Sequence, residues 1–209
     1  MYKLLYFILA LGLLLGCNTQ PKPSSSQVPP PAAIKQKQVS LLPYQGFDTT
    51  LIPDLQQAIT KFYQCRISLM PSLPLPGFAY YAPRQRYKAD SLLVYQQQMA
   101  TKQIVVGLTH QDISTRSENN PDWGVFGLGY CPGPTCIIST YRLQRASHSR
   151  QQLQQRLLKV VLHEMGHNLG LPHCTNNEPT CLMNDAKGTM AQVDREQLWL
   201  CNVCKQYLP

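Results

Sequence analysis

Residues 163–173 read His-Glu-Met-Gly-His-Asn-Leu-Gly-Leu-Pro-His, the pattern HExxHxxGxxH, and no other stretch restricts the fold as tightly. Leu153, Leu157, Val160, Val161 and Leu162 precede it at helical spacing with Gln and Arg between them, so His163 and His167 fall on a helix already under way. Residues four apart share one helix face, and both imidazoles can meet one ion. Gly170 predicts the helix stop and Pro172 blocks continuation, which lets the chain turn back and offer His173. Three histidines with a fourth position left open are the donor set of a catalytic rather than a structural zinc. Glu164 stands beside that ion, where its carboxylate can take a proton from water. A surface helix that carries two histidines by chance does not account for the Gly and the third His at fixed offsets.

His173 is followed by Cys174, then Cys181-Leu182-Met183, then Cys201-Asn202-Val203-Cys204. From His163 to Cys204 the chain resembles the archaemetzincins, zinc peptidases of the metzincin clan. The resemblance implies that His163, His167 and His173 bind a catalytic zinc, that Glu164 is the general base, and that Met183 forms the turn beneath the metal. It also implies a second zinc on Cys174, Cys181, Cys201 and Cys204, making two per chain. Four thiolates with a terminal C-x-x-C suit a tetrahedral structural zinc on chemical grounds too. The family pattern has four residues between the first two cysteines, whereas this chain has six, Thr175 to Thr180. Residues 125–128 and 137–143 resemble the strands that lead into the family's active-site helix.

The first residues read as an export signal. Lys3 gives a positive start, residues 4–15 are an apolar run too short to span a bilayer, and Leu14-Leu15-Gly16-Cys17 looks like a lipobox. Residues 1–16 are thus expected to be a signal peptide, with lipid on Cys17 and attachment to the bacterial envelope. Asn18 leans towards the outer membrane. Residues 17–43, rich in Pro, Ser, Gln and Lys, read as an extended tether. The folded domain is expected over residues 44–209. Helices are predicted over 51–64, 89–99 and 192–200, and strands over 65–70, 104–108, 125–130 and 136–141, the last two joined by Pro132-Gly133-Pro134. Such a mixture argues for a mixed α/β (α+β) domain. The resemblance makes it zincin-like, with a small C-terminal subdomain below the active-site helix.

Of the eight cysteines, three remain after lipidation and metal binding. Cys131 and Cys136 flank the Pro-Gly-Pro turn and either form a disulfide, which export permits, or pack as two thiols. Cys65 reads as a small buried hydrophobe. A net charge of +8 carried by only 14% charged residues points to surface solvation that favours acidic partners. His110 and His148 are expected to be exposed, and Tyr141 and Arg142 to sit on a strand, at a sheet edge or touching substrate. No feature suggests nucleic-acid binding, and a monomer is expected. Two functional classes compete: a metal-dependent peptidase acting on peptides or proteins, and a surface lipoprotein that keeps the zinc scaffold to bind a partner. Glu164 separates them, because a scaffold needs only the histidines.

Overall fold

The computed structural model describes residues 37–208. The signal segment, Cys17 and the bulk of the tether lie outside the described residues. In chain order the elements are β1 (Gln38–Pro43), α1 (Ile52–Tyr63), β2 (Arg66–Leu69), β3 (Tyr80–Tyr81), β4 (Arg86–Lys88) and α2 (Ala89–Gln97). There follow β5 (Ile104–Thr109), β6 (Ile113–Ser117), β7 (Asn120–Val125), β8 (Gly127–Gly129) and β9 (Thr135–Ser139). Four helices close the chain: α3 (Thr140–Arg145), α4 (Arg150–Asn168), α5 (Met190–Arg195) and α6 (Asn202–Lys205).

Five strands form the main sheet in the order β2-β1-β5-β9-β8. Pairing is parallel except at β8, which runs antiparallel to β9 and forms one edge. Parallel strands covered on both faces are apolar along their whole length, and period 2 then distributes the side chains. Leu41, Val106 and Ile138 join one core with Leu55 and Ile59 of α1 and Leu157, Val161 and Met165 of α4. Their chain neighbours Leu42, Val105 and Ile137 join the other core with Ala89, Leu92 and Leu93 of α2. The mixed α/β expectation is met, with α4 running beneath the sheet.

Several boundaries differ from the sequence expectations. β1 falls within the stretch assigned to the tether, yet it pairs with β2 and β5 and is buried from Val39 to Pro43. Its few apolar residues are masked by the Pro/Ser/Gln composition before them. A second sheet, β3-β4-β6-β7, was not expected. Its strands are short and half polar because Asp122 anchors them with charge, 2.6 Å from Lys88 Nζ and 3.6 Å from Arg86 Nη1. Phe126 separates β7 from β8, so the strand expected over 125–130 is shared between the two sheets.

Tyr141 and Arg142 stand on α3, not on a strand. Arg142 forks onto the buried Asp112 at 2.7 and 3.0 Å, a structural ion pair that removes it from substrate contact. His148 is exposed as expected, but His110 is half-buried against Gly46. Cys131 and Cys136 are unpaired, Cys131 exposed and Cys136 wholly buried. Cys65 is buried, as expected. The helix expected over 192–200 ends at Arg195, because Glu196 turns extended (ψ 150°). The following chain then pairs with an earlier loop, Gln197 N–H to Thr180 O and Leu182 N–H to Trp199 O.

Candidate active site

α4 begins at the Ser149 N-cap, whose side chain accepts from the Gln152 N–H, and ends in a Schellman turn. The Leu171 N–H bonds to the Gly166 carbonyl at 2.9 Å, and Gly170 takes φ +96° as its position predicts. The reversal sets His173 against His167, with 3.2 Å between their Nε2 atoms. His163 Nδ1 lies 2.8 Å from the Leu182 carbonyl, and His167 Nδ1 lies 2.8 Å from the Leu171 carbonyl. A carbonyl only accepts, so both Nδ1 atoms carry the proton and both Nε2 atoms present lone pairs. Burial and then the neighbouring His167 push the His163 pKa down to about 3, against the Leu182 bond. Burial also lowers that of His167. Both rings are therefore neutral, the form that ligates metal.

One ligand atom from each histidine lies within 4.8 Å of the others. At zinc–nitrogen distances of 2.0–2.1 Å a tetrahedron has edges of about 3.3–3.4 Å, which the 3.2 Å between His167 and His173 matches, and the set as a whole could hold such an ion. Met183 is fully buried, with its Sδ against Gly166 of α4. A Cβ on Gly166 would stand 2.6 Å from Met183 Sδ and 3.1 Å from the Tyr63 hydroxyl, so only glycine lets the turn approach α4 so closely.

Glu164 is buried, and burial raises its pKa to about 8 against a bond from the Gly129 N–H. Gly127 and Gly129 of β8 leave it room: a Cβ on Gly127 would come within 2.7 Å of its Cγ. The site opens into a cleft of ≈ 800 Å³ lined by β8, the three histidines, Glu164 and residues of the C-terminal segment.

The second cluster closes on itself. Cys174 Sγ lies 3.6 Å from Cys201 Sγ, and Cys181 Sγ lies 3.7 Å from Cys204 Sγ. With zinc–sulfur bonds of about 2.3 Å a tetrahedral edge is about 3.8 Å, whereas a disulfide needs about 2.05 Å; the spacing fits a metal. Burial disfavours the Cys201 thiolate, but the Cys204 N–H and the neighbouring thiols outweigh it and bring its pKa to about 7. The six residues between Cys174 and Cys181 are accommodated by a loop whose ends are tied where Cys174 N–H bonds to Met183 O at 2.7 Å.

The model of Peptidase family M54 matches residues 52–209. The chain belongs to this family. The archaemetzincin of Haloarcula marismortui is 30% identical over 175 residues, 80% of this chain and 97% of that protein. The crystal structure of the Methanopyrus kandleri archaemetzincin covers 85% of this chain and 96% of its own at 25% identity, with a TM-score of 0.72. That of Archaeoglobus fulgidus, at 24% identity, covers 81% and 99% with a TM-score of 0.70 and shares the fold. The archaemetzincin resemblance seen in the sequence is thereby met, and this M54 member is a zinc metallopeptidase.

The M54 chain brings His163, Glu164, His167, His173 and Met183 together, and separately Cys174, Cys181, Cys201 and Cys204. Sequence reasoning missed the β8 glycines, Asp185 and Glu196, all of which line the cleft. The glycines had a signal, since Gly127-Leu128-Gly129 puts two residues without side chains on one face of a strand. Glu196 had none, because its position depends on α5 docking to α4.

Proposed function

We propose that this chain hydrolyses peptide bonds at the three-histidine cluster with Glu164 as general base, and that it carries a second, structural zinc on its four cysteines. The observation that carries the reading is the buried Glu164 carboxylate, next in the chain to one imidazole of the cluster and lining the same cleft as all three. Zinc held by His163, His167 and His173 would supply a Lewis acid that polarises the scissile carbonyl and acidifies water. Glu164 takes the proton of the attacking water and returns it to the departing amine nitrogen. β8 is an outer strand beside Glu164, so an extended substrate segment adds to it as a further strand. His163 and His167 are held in register by the Leu182 and Leu171 carbonyls, and Met183 supports the floor of the site.

The domain is further proposed to act as a monomer on a tether that ends before β1, anchored at the outer membrane through lipid on Cys17. Unchanged detergent partitioning of Cys17→Ser would remove the anchor from this picture. The peptidase reading is tested by digesting a broad peptide library with the zinc-loaded protein, where chelator-sensitive cleavage is expected. No cleavage with zinc verifiably bound would overturn it.

A further inference from the structure

The chain is basic overall, with 19 Lys and Arg against 11 Asp and Glu, yet its cleft inverts that balance. The acidic side chains there are Glu164, Asp185 and Glu196, against one cation, Lys187. Glu164 is occupied with proton transfer, and Asp185 is exposed to solvent. Glu196 differs from both, being only 4% exposed. Its side chain enters no ion pair among the described residues. The hydrogen bond it accepts, from Gln192 Nε2, is long at 3.4 Å. Lys159 acts on it electrostatically, but that ammonium donates to the Val193 and Asp194 carbonyls at 2.9 and 3.0 Å. These bonds and the Arg156–Asp194 fork, 2.7 Å in each arm, fix α5 on α4 and with it the start of the segment that bears Glu196.

A desolvated carboxylate without a cation is costly, and a protonated nitrogen brought into the cleft offsets that cost. We propose that Glu196 is a specificity-determining residue that selects substrates with a cationic nitrogen in the cleft, either a lysine or arginine side chain or a free amino terminus. The proposal rests on the peptidase reading above. It reverses the expectation from net charge that acidic partners are favoured. Burial, reinforced by Asp185 and opposed by Gln192 and Lys159, brings the Glu196 pKa to about 7. An incoming cation therefore draws it fully into the charged form.

Peptide pairs that differ only in lysine against norleucine beside the cleaved bond, each acetylated or free at the amino terminus, test the proposal with the zinc-loaded protein. The lysine peptide is expected to have at least tenfold higher kcat/KM. Glu196→Gln should lower that value at least tenfold more than it lowers the norleucine value, and Glu196→Lys should turn the preference towards glutamate. A preference that survives acetylation assigns the cation to a side chain, and one that follows the free amine assigns it to the terminus. Equal rates for lysine and norleucine, or Glu196→Gln lowering both alike, would overturn the proposal. Fluorescence anisotropy with the same peptides on the Glu164→Ala protein reads affinity without turnover. Lack of hydrolysis thus counts against the peptidase reading, whereas equal affinities count against the role of Glu196.

Discussion

His173 and Cys174 are neighbours in the chain, yet the two clusters they join are built in opposite ways. The histidine cluster takes two donors from one long helix, whose geometry is fixed by an N-cap, a buried face and a Schellman turn, and it opens into a cleft. The cysteine cluster takes its donors from two loops and a short terminal helix, and three of its four thiols are buried. A helix holds its side chains in place without the ion. The cysteine donors sit on loops and a four-residue helix, so under the proposed structural zinc the ion itself is expected to fix that region. The expected difference is between a site that metal equips and a site that metal folds.

The comparison breaks most visibly if the two sets are emptied in turn. Replacing Cys174, Cys181, Cys201 and Cys204 together by Ser is expected to unfold the C-terminal segment, because a structural zinc contributes about 10–16 kcal/mol of apparent binding energy against about 5–15 kcal/mol of domain stability. His173 should then be misplaced as well, since the Cys174 N–H to Met183 O bond ties both clusters. His167→Ala should cost activity and one zinc while leaving the circular dichroism spectrum and the melting transition in place. Equal melting behaviour of the two variants would erase the distinction.

A smaller effect sharpens the link between the clusters. Gly166→Ala forces a Cβ against Met183 Sδ in a fully buried site, and overpacking of this kind costs about 1–3 kcal/mol. Chemical denaturation should show the loss, and zinc affinity at the histidines should fall with it.

The smallest effect lies outside both clusters, at Asp122 in the second sheet. Burial alone would raise the Asp122 pKa, but hydrogen bonds from Lys88 and Ser114 and the Arg86 charge hold it below the ordinary 3.8. A depressed folded-state pKa means that this stabilisation is present above about pH 4 and fades as pH falls through the folded value. Asp122→Asn should therefore destabilise by about 1–2 kcal/mol at pH 7 and progressively less in acid. A difference that does not shrink between pH 5 and pH 2 would count against the ionic account of this sheet.

What was legible in the sequence were features with a local cause. The helix periodicity, the histidine spacing and the glycine stop all act within a few residues, and α1, α2 and α4 stand where they were expected. β1 was hidden because a short central strand, with Val39, Leu41 and Leu42 interrupted by Ser40, needs its neighbours to be recognised. The second sheet is held by Asp122 and its cations, and such pairs leave no periodic trace. Arg142 looked available until Asp112 was seen to claim it from thirty residues away. Glu196 acquires its chemistry from burial against α4, which no local pattern encodes.

The central claim, that the histidine cluster is a catalytic metal site served by Glu164, is tested most directly by measuring zinc content and peptide hydrolysis together in Glu164→Ala. Both metals should remain bound, because Glu164 is no ligand, while turnover falls at least about 100- to 10,000-fold, the typical contribution of a general base. Near wild-type turnover with both zinc ions present would contradict the account.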